Sequence, residues 1–142
     1  MEIEEIKKII TDLANEIENN PNDGDAFYNR AYYKSISKDL QGAIKDYTKS
    51  IEINSNDSDA FENRAVIKSK LFDYEGALKD IKKSIEINPN NAQHYWNSSL
   101  IKSGLRDFKG ALVDYKKASQ LDPDEYDSAP HLDNLIDLDN ED

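Results

Sequence analysis

The sequence contains no cysteine, which excludes disulfide staples, thiol nucleophiles and thiolate metal centres. It has only two histidines, His94 and His131, far apart along the chain. Five glycines and four prolines are too few for glycine-rich phosphate loops or a turn-rich all-β fold. No apolar run approaches the roughly 20 residues of a membrane span. The first ten residues, MEIEEIKKII, are acidic and amphipathic, unlike a secretory signal, so a cytoplasmic location is expected. Positive charge is also scarce: the net charge is −11. Phosphate-rich partners attract the opposite sign, so neither nucleic acid nor an anionic membrane is expected as a partner.

The 142 residues amount to one domain, with 37% hydrophobic and 33% charged residues, polar for a globular chain but not depleted enough for disorder. The acidity is concentrated at one end. Residues 122–142 hold 9 acids and no Lys or Arg, whereas residues 1–121 hold 20 acids and 18 bases, a net of −2. A nearly neutral body thus carries an acidic segment. The plain role of that segment is solubility, and the sharper one is docking of a basic partner.

The body repeats with a spacing of 34 residues. Residues 24–57, 58–91 and 92–125 align without gaps, and Gly-Ala recurs at 42–43, 76–77 and 110–111. Self-similarity of this kind outranks any local pattern as a guide to architecture. Each copy predicts two helices. The first covers about 25–37, 59–71 and 93–105, and the second about 40–53, 74–87 and 108–121. Asp39, Asp73 and Asp107 stand where the second helix needs a cap for its unpaired N–H groups. Within it Ala43, Ile44, Tyr47 and Ile51, and their counterparts Ala77, Leu78, Ile81 and Ile85, fall on one apolar face. Asn-Ser-Asn, Asn-Pro-Asn and Asp-Pro-Asp at 54–56, 88–90 and 122–124 end it.

Small side chains recur where helices approach: Ala31, Ala65 and Ser99 in the first helix, Ala43, Ala77 and Ala111 in the second. Phe27, Phe61 and Tyr95 are their large partners, the alternation that packed antiparallel helices need. On this register Ala77→Leu is predicted to cost roughly 1–3 kcal/mol by overpacking, read by denaturant unfolding.

The period, the helix-turn-helix layout, the alanine columns, the recurring aromatic, Asp-Tyr or Asp-Phe before Gly-Ala, and the closing Pro89 and Pro123 together resemble the tetratricopeptide repeat family across residues 24–125. Departures are mild. Ser55 replaces a closing proline, Leu40 replaces the aromatic of Tyr74 and Phe108, and Lys34, Lys68 and Lys102 stand where the family often has tyrosine. The resemblance implies an all-α fold, a right-handed superhelical α-solenoid of stacked antiparallel helix pairs.

At the start, residues 2–20 predict a lone helix with Ile3, Ile6, Ile10, Leu13 and Ile17 on one stripe. At the end, residues 127–138, with Pro130 in the first turn and Leu132, Leu135 and Ile136 inward, predict a capping helix with a polar outer face. That makes about eight helices in one domain, followed by a disordered tail over 139–142.

Little in the sequence supports catalysis. His94 is expected at the surface near a helix start. His131 lacks a second His nearby, and the stretch DPDEYD lacks the glycine and spacing of a calcium loop. Ser35, Ser69 and Ser103 repeat with the period and mark a structural column. No enzyme activity, cofactor or metal site is expected.

Function is expected instead on a concave groove, which the resemblance places on the first helices. Asn29, Asn63 and Asn97 occupy one column in all three copies. Asn costs roughly 0.5 kcal/mol against Ala inside a helix, so its recurrence asks for a reason. Its amide offers two donors and an acceptor, suited to an extended peptide backbone, and similar ladders occur in peptide-binding relatives. The alternative is a local bond to the neighbouring repeat. Around it, columns vary as specificity requires: Tyr28, Glu62 and Trp96; Tyr32, Val66 and Leu100; Asp25, Asp59 and Gln93. The aromatics favour apolar anchors on a ligand, and Asp25, Asp59 and Glu62 favour a basic residue.

Family members that hold the carboxylate tail of chaperones use a Lys/Arg clamp across the first helices. Here Tyr28, Gln93 and Asn97 take those places, so no such clamp is expected. Arg30 with Asp46, and Arg64 with Asp80, each 16 residues apart, predict ion pairs between helices that set stacking register, whereas Ser98 replaces the Arg opposite Asp114. The expectation is a non-enzymatic scaffold that binds an extended peptide of a partner protein, as a monomer or weak homo-oligomer. Its rival is a self-associating module whose groove is filled by another copy's terminal helix or acidic tail.

Overall fold

Residues 1–126 are described in a computed structural model of the chain. The expected capping helix over 127–138, the tail over 139–142 and His131 lie outside those residues. The described residues form eight helices and no strand. These are α1 (Ile3–Asn19), α2 (Gly24–Ile36), α3 (Leu40–Ile53), α4 (Ser58–Lys70), α5 (Tyr74–Ile87), α6 (Ala92–Gly104), α7 (Phe108–Leu121) and α8 (Pro123–Tyr126). The last is a single turn, distinct from the expected capping helix.

The helices pair as hairpins, α2 with α3, α4 with α5 and α6 with α7, and each hairpin packs on the next, with α1 against α2. The chain is therefore an all-α helical solenoid. Its curvature follows from which helices touch across repeats. The first helices α4 and α6 pack directly on one another, and no second helix packs to that extent on another. The stack therefore closes toward α2, α4 and α6, which form its inner face.

Each first helix starts one residue earlier than the periodicity suggests, because a cap precedes it. Asp23 accepts from Ala26 N–H, Asp57 from Asp59 and Ala60, and Asn91 from Gln93. The hairpin turns are built alike. The N–H of Asp39 donates to Lys34 C=O and that of Lys38 to Ser35 C=O, closing α2 in a Schellman turn. That turn needs a left-handed residue, and Lys38, Phe72 and Arg106 take it with φ of 70°, 63° and 62°. Asp39, Asp73 and Asp107 then cap the second helices by accepting from Gly42, Gly76 and Gly110 N–H. Those glycines are required by close approach: a Cβ at Gly76 would lie 2.3 Å from the Asp73 carboxylate.

The alanine columns sit at the helix crossings, with Ala31, Ala65, Ala43, Ala77 and Ala111 fully buried. Around them pack Tyr47, Ile51, Phe61 and Ile67 in one cluster and Ile81 and Ile101 in another. On α1, Ile6 and Leu13 are buried, but Ile3 is 70% exposed, since the helix starts beyond its neighbour.

The Arg–Asp pairs form, but within hairpins rather than between stacked ones. Arg30 is bidentate to Asp46, Nε and Nη2 at 2.7 and 2.8 Å, and Arg64 is bidentate to Asp80 at 2.8 and 2.7 Å. The lysine column completes each site: Lys34, Lys68 and Lys102 reach Asp46, Asp80 and Asp114 at 2.9, 2.9 and 2.8 Å. Asp46 and Asp80 are buried, so these charge-assisted bonds satisfy carboxylates that would otherwise be stranded. The bond to Asp46 is also the main reason the Arg30 guanidinium holds its proton more tightly than usual. Only the third Arg64 bond, Nη1 to Thr48 Oγ1 at 3.0 Å, crosses between repeats. In the third copy Ser98 donates to Asp114 at 2.6 Å in place of the arginine.

Candidate functional site: the inner face

The inner face is built by columns 34 residues apart on α2, α4 and α6, which the stacking brings side by side. Tyr32, Val66 and Leu100 form its most open apolar column: Tyr32 is 49% and Leu100 48% exposed, with Val66 half-buried between them. Asp25 and Asp59 are exposed toward the N-terminal ends of α2 and α4.

The other columns are engaged by the fold. Asn63 Nδ2 donates to Tyr28 Oη at 2.8 Å, and Asn97 Nδ2 donates to Glu62 Oε1. Both bonds run to the preceding repeat, 35 residues back, so the local bonding weighed at the outset is present in two of three copies. Asn29 is exposed. Tyr28 is half-buried with its ring edge-on to Tyr47, centroids 5.4 Å apart. Its phenol is pushed above the ordinary range, chiefly by burial and then by Asp59 and Asp57, with Asn63 opposing.

Two expectations need correction. His94 is not at the surface: it is fully buried, on the first turn of α6. Glu62 does not line the groove as a free charge, because it is buried, with Oε2 2.9 Å from His94 Nδ1 and Oε1 taken by Asn97. The sequence holds one hint of this: 62 and 94 are a repeat apart less two, one helical half-turn from register.

Trp96 is half-buried, packing against Tyr115 at 5.8 Å and Tyr126 at 5.5 Å between centroids. Tyr115 Oη donates to the Tyr126 carbonyl, which ties α8 to α7. Burial, followed by Glu125, Asp122 and Glu62, raises the Tyr126 phenol above its ordinary range. Ser35, Ser69 and Ser103 donate back to the carbonyls of Tyr32, Val66 and Ser99, the structural role their periodicity predicts. No helix among the described residues is long and apolar enough to cross a membrane.

The tetratricopeptide repeat model matches residues 24–57 and 58–91, the first two hairpins. Residues 24–91 are thus tetratricopeptide repeats. Solved tetratricopeptide-like folds superpose closely on it. MamA, residues 41 to the end, from Desulfovibrio magneticus RS-1 has a TM-score of 0.87 at 20% identity, covering 96% of this chain and 77% of that one. A further MamA crystal structure gives 0.78 at 20%, covering 87% and 69%. The first TPR of Spaghetti (RPAP3), bound to the HSP90 peptide SRMEEVD, gives 0.77 at 18%, covering 80% and 90%. At such identities the likeness speaks for the fold. No curated protein matches the sequence.

Proposed function

We propose that this tetratricopeptide repeat protein is a non-enzymatic, cytoplasmic interaction module that takes an extended peptide of a partner protein along its inner face. The observation that carries this is the open column Tyr32, Val66 and Leu100, two of whose side chains are about half exposed on the face toward which the solenoid closes. A contiguous exposed apolar stripe on the face toward which helices converge marks a contact surface, and an aromatic anchor such as Tyr32 is the kind of side chain that dominates such contacts. Asn29, Asn63 and Asn97 border the stripe. The Asn63 and Asn97 amides each keep donor or acceptor capacity beyond the bond already made. Asp25 and Asp59 favour a basic residue at one end of the ligand.

An acidic peptide such as the SRMEEVD bound by the Spaghetti repeat suits this face poorly. Lys34, Lys68 and Lys102 are each held by a carboxylate, so no cation on the inner columns is available to pair with a terminal carboxylate, and leaving that charge unpaired is costly.

Tyr32→Ala with Leu100→Ala is the test, because both side chains are exposed and neither holds the fold. Asn63 and Trp96 would be poorer choices, being bonded to Tyr28 and packed against Tyr115 and Tyr126. Peptides selected from a displayed library on the wild-type protein should lose at least about tenfold in affinity for the double variant, roughly 1.4 kcal/mol, with melting unchanged. Selected peptides that carry acidic rather than basic residues, or that bind the variant equally, would place the recognition face elsewhere.

A further inference from the structure

We infer that Asp59, Glu62 and His94 form a binding site for a divalent transition-metal ion of the zinc class, at the inner face between α4 and α6. One donor atom from each lies within 4.8 Å of the others. From the sequence no metal site is expected, with His94 at the surface. Burial changes the argument. His94 is wholly enclosed, and neither ring nitrogen makes a hydrogen bond. Buried polar atoms nearly always find a partner, so two orphaned nitrogens on one ring need an explanation.

The contact with Glu62 supplies it. Oε2 stands 2.9 Å from Nδ1 yet outside the direction in which an N–H would donate. Tetrahedral ligands at about 2.0–2.2 Å from a zinc ion have donor atoms roughly 3.3–3.6 Å apart, so Oε2 would draw back a few tenths of an ångström from Nδ1 to admit one. The ion then lies on the ring's lone-pair axis and the oxygen lies well off it. Asp59 is one turn before Glu62 on α4 and exposed, so its carboxylate can swing in as a third ligand without disturbing the helix. Asn97 already orients Glu62 through its other oxygen, as outer partners of ligating carboxylates do.

The donor set selects the metal class. A neutral imidazole with two carboxylates suits zinc, cobalt or nickel, whereas magnesium and calcium prefer all-oxygen sites. Two carboxylates balance the charge of a divalent ion, which suits a buried position. Three protein ligands leave a fourth position open. The ion would join the second and third hairpins, and this inference stands apart from the peptide reading.

The full chain, stripped with chelator, is titrated with zinc chloride in a calorimeter. One equivalent is expected to bind, with a rise in melting temperature and no response to magnesium at equal concentration. Asp59→Asn, at an exposed position, should raise Kd at least about tenfold without loss of helicity. Cobalt should give a visible d–d absorption band that His94→Gln removes. His131→Gln should change nothing, separating this site from the acidic C-terminal segment. No zinc binding, binding unaltered by Asp59→Asn, or binding abolished by His131→Gln would each overturn the assignment.

Discussion

Tyr47 illustrates how one side chain reports on the fold. It is buried to 1% exposure between α2 and α3, and its phenol is pushed far above the ordinary 10.0, first by burial and then by the charge of Tyr28. An acid whose pKa is raised on folding favours the native state below its unfolded pKa. Below pH 10 the phenol is neutral in both states and stability is flat. Above it the unfolded chain sheds the proton more readily than the folded one, so stability falls with rising pH. Tyr47→Phe is expected to flatten that alkaline decline, seen in denaturant midpoints from pH 9 to 11. The same scale shows what the sequence could and could not convey. Ala77 was legible as a crossing point, and its complete burial is the premise of the Ala77→Leu penalty. The asparagine column was visible, and so was a bond to the neighbouring repeat as one of its two readings, but the partner residues were not, because they stand 35 residues upstream. Tyr28 and Glu62 occupy that place for Asn63 and Asn97, whereas Asn29 is exposed. His94 and Glu62 were missed for the same reason: side chains two positions out of register meet only once α4 and α6 lie together.

At the scale of the helix, punctuation was the most readable feature. Asp39, Asp73 and Asp107 gave the starts of the second helices correctly because a carboxylate at that place has one evident use. Asp23, Asp57 and Asn91 do the same for the first helices, but they sit inside Asn/Asp-rich turns where several residues compete for the role. Each hairpin turn also carries strain. Lys38 is exposed and left-handed, a conformation that costs an L-residue about 1–2 kcal/mol and costs glycine nothing. Glycine also gains freedom in the unfolded chain, which offsets part of the relief. Lys38→Gly is therefore expected to stabilise by about 0.5–1 kcal/mol, measured by urea unfolding at neutral pH. A loss of stability would mean that the lysine stem contributes packing.

For the molecule as a whole, stability in a stacked array is the sum of hairpin and neighbour terms. The middle hairpin, α4 with α5, has a neighbour on both sides, through α3 and α6, while α1 rests on α2 alone. Hydrogen exchange should accordingly be slowest in α4 and α5 and fastest in α1; equal protection throughout would mean that the array unfolds as one unit. The repeat architecture was readable because duplication writes the period into the chain. The inner face does not follow from the period itself, since it depends on which helices touch across repeats; the family resemblance is what placed it on the first helices. One further result follows from the shared offsets. The carboxylates Asp46, Asp80 and Asp114 find their Arg or Ser and Lys partners inside their own hairpins, and the inter-repeat asparagine bonds reuse one spacing. Excising residues 58–91 would thus keep the pairing inside each remaining hairpin and the spacing of the new joint, while setting Tyr28 in place of Glu62 opposite Asn97.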